Sequence, residues 1–407
     1  MAQDLVKEKL AKTGPRKLLA LDSGGIRGVI SIEVLAELER TLRQLLNQGD
    51  DFVLADYFDY IGGMSAGAII AACLSLGMSV DQIRTFFFDS SRAMFQKARP
   101  WQRWRYKFQC AELKRKIKDV IADIPGPEED VPDLKDSLGS NKLRTLLLLV
   151  MRNATTDSPW PLSNNPYAKF NTCLNDPTCN LKLPLWQLIR ASAAAPSFFA
   201  PETIRLGSKL YVFDDGAMTP FGNPAFQLFL MATLAPYNLG WPTGEDQMLL
   251  VSVGTGSAAN TKPKLGPLGE HLLSLAQSVP AVLIGASATQ NDVLCRVFGK
   301  CLVGDPIDSE LDDLIDRNRS AVDPQASKLF TYLRYDADLT TEGLSKAGLG
   351  HIHAADVRKL DSVAHVSELQ EIGKAVSQKV AAHHFKSFSA PLEEAHTGAA
   401  YQAESMR

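Results

Sequence analysis

The apolar positions of this chain fall into short blocks that switch between two periods. Lys17 to Leu21 (KLLAL) is a brief apolar run that stops at Asp22 and a cluster of glycines. A helical pattern follows at once, with Ile32, Leu35, Leu38, Leu42 and Leu45 recurring at spacings of three and four. The predicted order is strand, glycine loop, helix. It repeats from Phe58 to Ile61, through Gly62-Gly63-Met64-Ser65-Ala66-Gly67, into a mostly buried helix over Ala68 to Leu76 that Gly77 stops. Ser79 with Gln82 is a capping-box signature for a further helix through Val80 to Phe87. Leu143 to Met151 (LRTLLLLVM) is continuously apolar, as a strand covered on both faces in a parallel sheet would be, and Met248 to Val253 (MLLVSV) repeats the type before Gly254-Thr255-Gly256. Between them Pro184 is placed as a first helical residue ahead of LWQLIRASAAA, which Pro196 ends. Strands alternating with helices predict an α/β fold with crossover connections, and ligand chemistry then belongs at the carboxyl ends of the strands, where both glycine turns lie.

Composition changes this picture little. With 407 residues, 45% of them hydrophobic, the chain can bury one large α/β core or two smaller ones. A formal charge of −3 implies no bulk attraction to nucleic acid or to an acidic membrane. The N-terminus mixes acids and bases and lacks an apolar signal core, so cytoplasmic synthesis is expected. Six scattered cysteines without a C-x-x-C pair argue against a disulfide framework and against a zinc site; no metal and no cofactor are expected. The uncharged stretch between Asp59 and Asp81 is long enough to span a bilayer, but its four glycines and three serines suit a strand, a tight turn and a helix better.

The candidate chemistry begins at Gly63-Met64-Ser65-Ala66-Gly67, a G-x-S-x-G turn in which small neighbours let backbones close up and leave a serine hydroxyl exposed. The helix that follows aims its positive end at the site. A serine needs a base, and all seven histidines lie in the C-terminal third, none in a recognisable strand-end loop. A carboxylate held in a dry site can serve instead, and Asp215 ends the apolar stretch LYVFDD before Gly216-Ala217. Asp214, one residue earlier on an extended run, should point the other way. The loop Asp22-Ser23-Gly24-Gly25-Ile26-Arg27-Gly28 can turn successive N–H groups toward one point; it lacks the lysine of a phosphate loop, and an oxyanion hole fits it better.

In order along the chain, DSGGIRG, GMSAG and DGA resemble the three blocks of the patatin-like phospholipase family, and SNNP (163–166), ASAAAPSFFAP (191–201) and SVGTG (252–256) extend the resemblance over roughly residues 16 to 300. It implies a three-layer fold with a mainly parallel central sheet between helices, and a Ser65–Asp215 dyad. It also implies an oxyanion hole from Gly24, Gly25, Ile26 and Arg27, with Gly28, Gly63, Gly67, Gly216 and Ala217 as motif positions. Arg27 matches the family's basic position, although an arginine there can equally hold the loop through carbonyls. Ser23 and Met64 depart from the usual glycine and threonine without removing a reacting group. The organisation expected is a lead segment 1–15, an acyl hydrolase domain 16–300, a mostly helical C-terminal extension 301–388 packed on or completing it, and a disordered tail 389–407.

The function implied is hydrolysis of fatty-acyl esters of membrane lipids, with peripheral membrane contact. Some bacterial members are membrane-degrading effectors switched by a nucleotide second messenger, and the C-terminal extension could house such control or homo-oligomer formation. An α/β-hydrolase esterase with a Ser-His-acid triad, His271 or a later histidine following Asp215, is the alternative. A non-catalytic sensor or scaffold is the third. Finally, Arg92 to Lys118 carries ten basic residues against the single acid Glu112, interleaved with aromatics. Trp101, Arg103, Trp104, Arg105 and Lys107 are the residues expected at a membrane surface. The bland reading is a solvated helical face paired with the acids between Asp119 and Asp136; nucleic acid is not expected as a partner, for want of a motif.

Overall fold

The computed structural model describes residues 5–97, 106–126, 134–257, 268–307 and 327–389, with side chains left aside at 92–94 and 268–282. Among the described residues nine strands form one sheet: β1 (Arg16–Leu21), β2 (Tyr60–Met64), β3 (Leu146–Asn153), β4 (Ser158–Ser163), β5 (Glu202–Leu206), β6 (Lys209–Asp215), β7 (Met248–Val253), β8 (Lys300–Val303) and β9 (Thr331–Tyr335). Followed through hydrogen-bonded neighbours, they run β5-β6-β3-β2-β1-β7-β9-β8, with β4 also on β3. The pairs β1–β2, β1–β7, β2–β3, β7–β9 and β8–β9 are parallel, whereas β4, β5 and β6 enter antiparallel. The fold is therefore α/β in three layers around a mainly parallel sheet.

Continuous apolar strands have this outcome because both faces are covered. On β1, Leu19 and Leu21 join a core with Ile30, Val34 and Leu38 of the Gly28–Leu45 helix, while Leu18 and Ala20 face a second core with Leu228 and Phe229 of the Ala225–Thr233 helix. The uncharged stretch after Asp59 becomes β2 and the helix Ala66–Ser75, buried throughout. Among the described residues no helix is long and apolar enough to cross a membrane. The Ser79 capping box forms as read: the Ser79 N–H donates to Gln82 Oε1 at 2.9 Å and the Gln82 N–H to Ser79 Oγ at 3.3 Å, opening the helix Val80–Met94.

Two boundaries are corrected. The third strand starts at Leu146, because Leu143 is held in a turn by the Ser140 carbonyl and pairing begins only where the Leu146 N–H meets the Asp59 carbonyl. Pro184 stands just outside its helix, at ψ 123°, and the helix is Leu185–Ser192.

The region beyond residue 300 shares the sheet, since β9 pairs with β7. Its helix Val366–Ser377 packs on the Gly28–Leu45 helix, closest at Gly373, where a Cβ would lie 2.8 Å from Glu33 Cβ and 3.0 Å from Ile30 Cα. The lead segment contains the helix Leu5–Ala11, whose Lys9 Nζ donates to the Phe58 carbonyl at 2.7 Å. Residues 390–407 of the expected tail lie outside the described residues.

The close crossing at Gly373 gives a first prediction. Gly373→Leu must push the two helices apart and should lower stability by about 1–3 kcal/mol, the usual range for overpacking. Urea denaturation of the variant beside wild type measures it, and an unchanged midpoint would rule the close crossing out.

Candidate active site

Both edges of β3 are occupied. Leu148 to Asn153 pair with β4 on one edge; on the other, β2 takes Leu146 to Val150 and β6 takes Met151 to Asn153. Thus β6 arrives, antiparallel, at the place where β2 ends. Ser65 leaves that edge by a sharp turn into the helix Ala66–Ser75, and Asp215, the last residue of β6, meets it there. Ser65 Oγ donates to Asp215 Oδ2 at 2.6 Å.

The turn is strained: Ser65 has φ +56° and ψ −122°, a conformation that costs a residue with a Cβ roughly 1–3 kcal/mol. Surrounding contacts hold it. The Ser65 N–H donates to Ser192 Oγ at 3.0 Å, and Ser192 Oγ donates to the Val150 carbonyl at 2.6 Å. Gly63 and Gly67 are needed for close approach, since a Cβ at Gly63 would lie 2.1 Å from the Gly67 carbonyl oxygen and one at Gly67 2.3 Å from that of Leu21.

Asp215 is 1% exposed, and its other oxygen, Oδ1, accepts the Ala217 N–H at 2.8 Å. Gly216 passes so near β3 and β2 that a Cβ would lie 2.6 Å from the Val150 carbonyl oxygen and 2.8 Å from Met64 Cγ. Burial pushes the Asp215 carboxyl up to about 7, against the pull of the hydrogen bonds from Ser65 and Ala217, and the neighbouring Asp214 charge adds to the rise. Asp214 turns the other way, to Arg152 Nη1 at 2.8 Å. Among the described residues no histidine bonds to Ser65 or Asp215: His384 meets Tyr335, His351 meets Glu371 and His365 meets Glu368. His271 and His396 fall where side chains are not described. A serine hydroxyl bonded to a buried carboxylate can pass its proton to that carboxylate as it attacks.

The glycine loop sits beside this pair. Only Gly25 needs a left-handed backbone, at φ +58°, so Ser23 costs the turn nothing. Of the four residues expected at an oxyanion hole, Ile26 and Arg27 have amides that already meet carbonyls. A 3-10 turn over Gly25–Arg27 curls the loop, so that the Ile26 N–H donates to the Leu360 carbonyl at 2.9 Å and the Arg27 N–H to that of Gly24 at 3.1 Å. No acceptor among the described residues takes the Gly24 or Gly25 N–H. The Arg27 side chain makes no hydrogen bond to a described carbonyl, and its Nε is buried without a partner. Burial lowers its pKa, with Asp336 and Asp22 pulling the other way. Gly28, with only ordinary contacts of 3.4–3.5 Å around its Cβ position, begins the following helix.

What fixes the loop escaped the sequence reading. Arg334 of β9 forks onto Asp22 at 3.0 and 2.6 Å and also reaches Ser252 Oγ and Asp336 Oδ2, both at 2.7 Å. Burial pushes the Asp22 carboxyl up to about 7 against the Arg334 charge. Thr255 Oγ1 donates to the Ser23 carbonyl at 2.6 Å.

The basic segment is only partly described: Trp101, Arg103, Trp104 and Arg105 lie outside the described residues. Lys107 is paired with Asp361, and its N–H joins the Ser197 carbonyl at 2.9 Å. Of the acids from Asp119 to Asp136, among the described residues Asp119 pairs with Arg115 and Asp136 with Lys142, which lies outside the basic segment.

Fold and site are together those of an α/β protein with a hydroxyl–carboxylate pair at the carboxyl end of its sheet. Residues 19–228, just over half of the chain, match the family model for patatin-like phospholipase, and the chain belongs to that family. It is 26% identical over 258 residues to a cGAMP-activated phospholipase of Escherichia coli (strain TW11681), covering 61% of this chain and 65% of the relative. It is 30% identical over 219 residues to a cGAMP-activated phospholipase of Vibrio cholerae, covering 52% and 56%. Patatin-2-Kuras 2 of Solanum tuberosum is 26% identical over 344 residues, covering 74% and 80%. The chain thus spans under two thirds of the length of the first two relatives.

The Asp22–Arg334 fork gives a second prediction. Removing one partner of a buried ion pair leaves the other uncompensated, which typically costs about 3–5 kcal/mol. Arg334→Met should lose about that much stability, and the double variant Asp22→Asn/Arg334→Met should regain part of it. A double variant no more stable than the single one in urea denaturation would contradict this.

Proposed function

We propose that this protein is a lipid acyl hydrolase of the phospholipase A or lysophospholipase type, with Ser65 as nucleophile and Asp215 as base. The 2.6 Å hydrogen bond between Ser65 Oγ and Asp215 Oδ2 is the observation that carries the reading. Ser65 Oγ attacks the ester carbonyl as its proton passes to Asp215 Oδ2. The negative charge forming on the carbonyl oxygen is met by the Gly24 and Gly25 N–H groups, aided by the positive end of the Ala66–Ser75 helix. Asp215 then returns the proton to the departing alcohol, leaving an acyl-enzyme. A water molecule gives its proton to Asp215, attacks the acyl carbon, and frees the fatty acid as Ser65 is reprotonated. Family membership supports the substrate class. The histidine-dependent alternative finds no support among the described histidines, and a scaffold role is what inactivity of the wild type toward every acyl ester would indicate.

The protein acts on this reading from the cytoplasmic side, as a peripheral visitor to membranes. The names of the two bacterial relatives support a second layer, in which a cyclic dinucleotide switches activity on; hydrolysis measured with and without cGAMP decides it, and equal rates would remove the switch.

A fluorophosphonate probe should label wild type, and equal labelling of Ser65→Ala would sink the nucleophile assignment. Activity should collapse in Asp215→Asn and largely survive in Asp214→Asn. Because the base works as the carboxylate, kcat/KM should rise with pH through about 7, the position to which burial pushes Asp215. Asp214→Asn removes a charge that raises Asp215 and should move that limb to lower pH; a limb that stays put, or moves up, contradicts the sign. Gly25→Ala, whose Cβ would lie 2.3 Å from the Leu360 carbonyl oxygen, should displace the loop and lower kcat by about 10²–10³ with little change in KM. Normal kcat with a raised KM would remove the oxyanion role.

A further inference from the structure

Three of the four basic residues of the helix Ala111–Asp123 fall into two electrostatic states. Arg115 is neutralised by both nearby acids, Glu112 and Asp119, each at 2.9 Å. Lys114 and Lys118 have no carboxylate partner among the described residues; instead both ammonium groups lie 4.3 Å from the centroid of one indole ring, that of Trp186. Like charges four residues apart on a helix repel, and no described acid relieves either lysine. The indole is half-buried against the main core, so it is a fixed platform rather than a free surface ring.

The platform adjoins the candidate site. Trp186 stands six residues before Ser192 on one helix, an axial rise of about 9 Å, and Ser192 holds the Ser65 turn. The segment leading into Ala111 is hydrogen-bonded to the loop after Ser192, through the Lys107 and Phe108 N–H groups to the Ser197 and Phe198 carbonyls. There Lys107 Nζ, paired with Asp361, also lies 5.6 Å from the Phe198 ring centroid.

We propose that Lys114, Lys118 and Trp186 form a docking site by which the protein settles on an anionic phospholipid surface. Trp186 takes the headgroup boundary and the two ammonium groups take lipid phosphates. Ammonium groups with no carboxylate partner among the described residues complement an anionic headgroup layer, and an indole is favoured at that depth, where an acidic peptide or a nucleic acid offers no apolar layer for it. The choice of partner rests on the lipid-hydrolase reading.

The test is sedimentation of the full chain with vesicles of phosphatidylcholine alone and of equal parts phosphatidylcholine and phosphatidylglycerol. Lys114→Gln/Lys118→Gln should bind the anionic vesicles roughly thirtyfold more weakly, each basic residue near such a surface contributing about fivefold. Arg115→Gln, whose charge is already compensated, should bind as wild type does. Trp186→Phe should weaken binding while keeping the fold, with circular dichroism as the check. Hydrolysis of a soluble short-chain ester should be the same in all of them. Equal losses in the Arg115 and the lysine variants, equal binding to neutral and anionic vesicles, or tighter binding of a single-stranded oligonucleotide than of anionic vesicles would each overturn the proposal. If wild type binds the vesicles but cleaves no acyl ester, the hydrolase reading fails and the docking site stands.

Discussion

The arrangement depends on two strands meeting end to end along one edge of β3. β2 leaves that edge at Val150 and β6 takes it up at Met151 from the opposite direction. A parallel strand must end in a connection to a crossover helix, so the residue after β2 is forced into a turn. An antiparallel strand arriving from the other side brings its last residue to that same turn. The Ser65–Asp215 hydrogen bond is what results, and both burial and strain follow from it. The carboxylate is enclosed where β6 ends against Met151 of β3, and the serine is bent because the chain turns there into its helix.

The same junction accounts for the electrostatics. Enclosure raises the affinity of Asp215 for a proton, and the hydrogen bonds from Ser65 and Ala217 restrain that rise. The two adjacent acids differ because a strand sends neighbours to opposite faces: Asp214 is spent on Arg152 and Asp215 is left for the serine. A near-neutral carboxylate is a base suited to neutral conditions, a property that a solvated aspartate would lack.

Much of this was legible in the sequence wherever the constraint is local. The G-x-S-x-G turn, the Gly24-Gly25 pair and the acid closing LYVFDD each follow from what a backbone needs at one spot. Apolar runs announced β1, β3 and β7 for the same reason. An apolar stretch such as LYVFDD does not disclose strand direction, however, so the antiparallel entry of β6 emerges only in the folded chain. The bond that consumes the Ile26 amide was hidden too, because its partner is the carbonyl of Leu360. Arg334, separated from Asp22 by 312 residues, sits in a strand with no sign of its task. Ser192 could be read only as one small residue among several.

That distant support bears on how far the family's boundaries coincide with an independent folding unit. The matched segment stops at residue 228, before β7, β9, Thr255, Arg334 and Leu360. A fragment cut there would expose the edge of β1 as a raw row of peptide groups, open to pairing with another chain. Its glycine loop would also keep Asp22 without a counter-charge, and Ile26 would regain a free amide. The region beyond the matched segment thus holds the loop inside it, so the matched residues alone do not make a self-sufficient site.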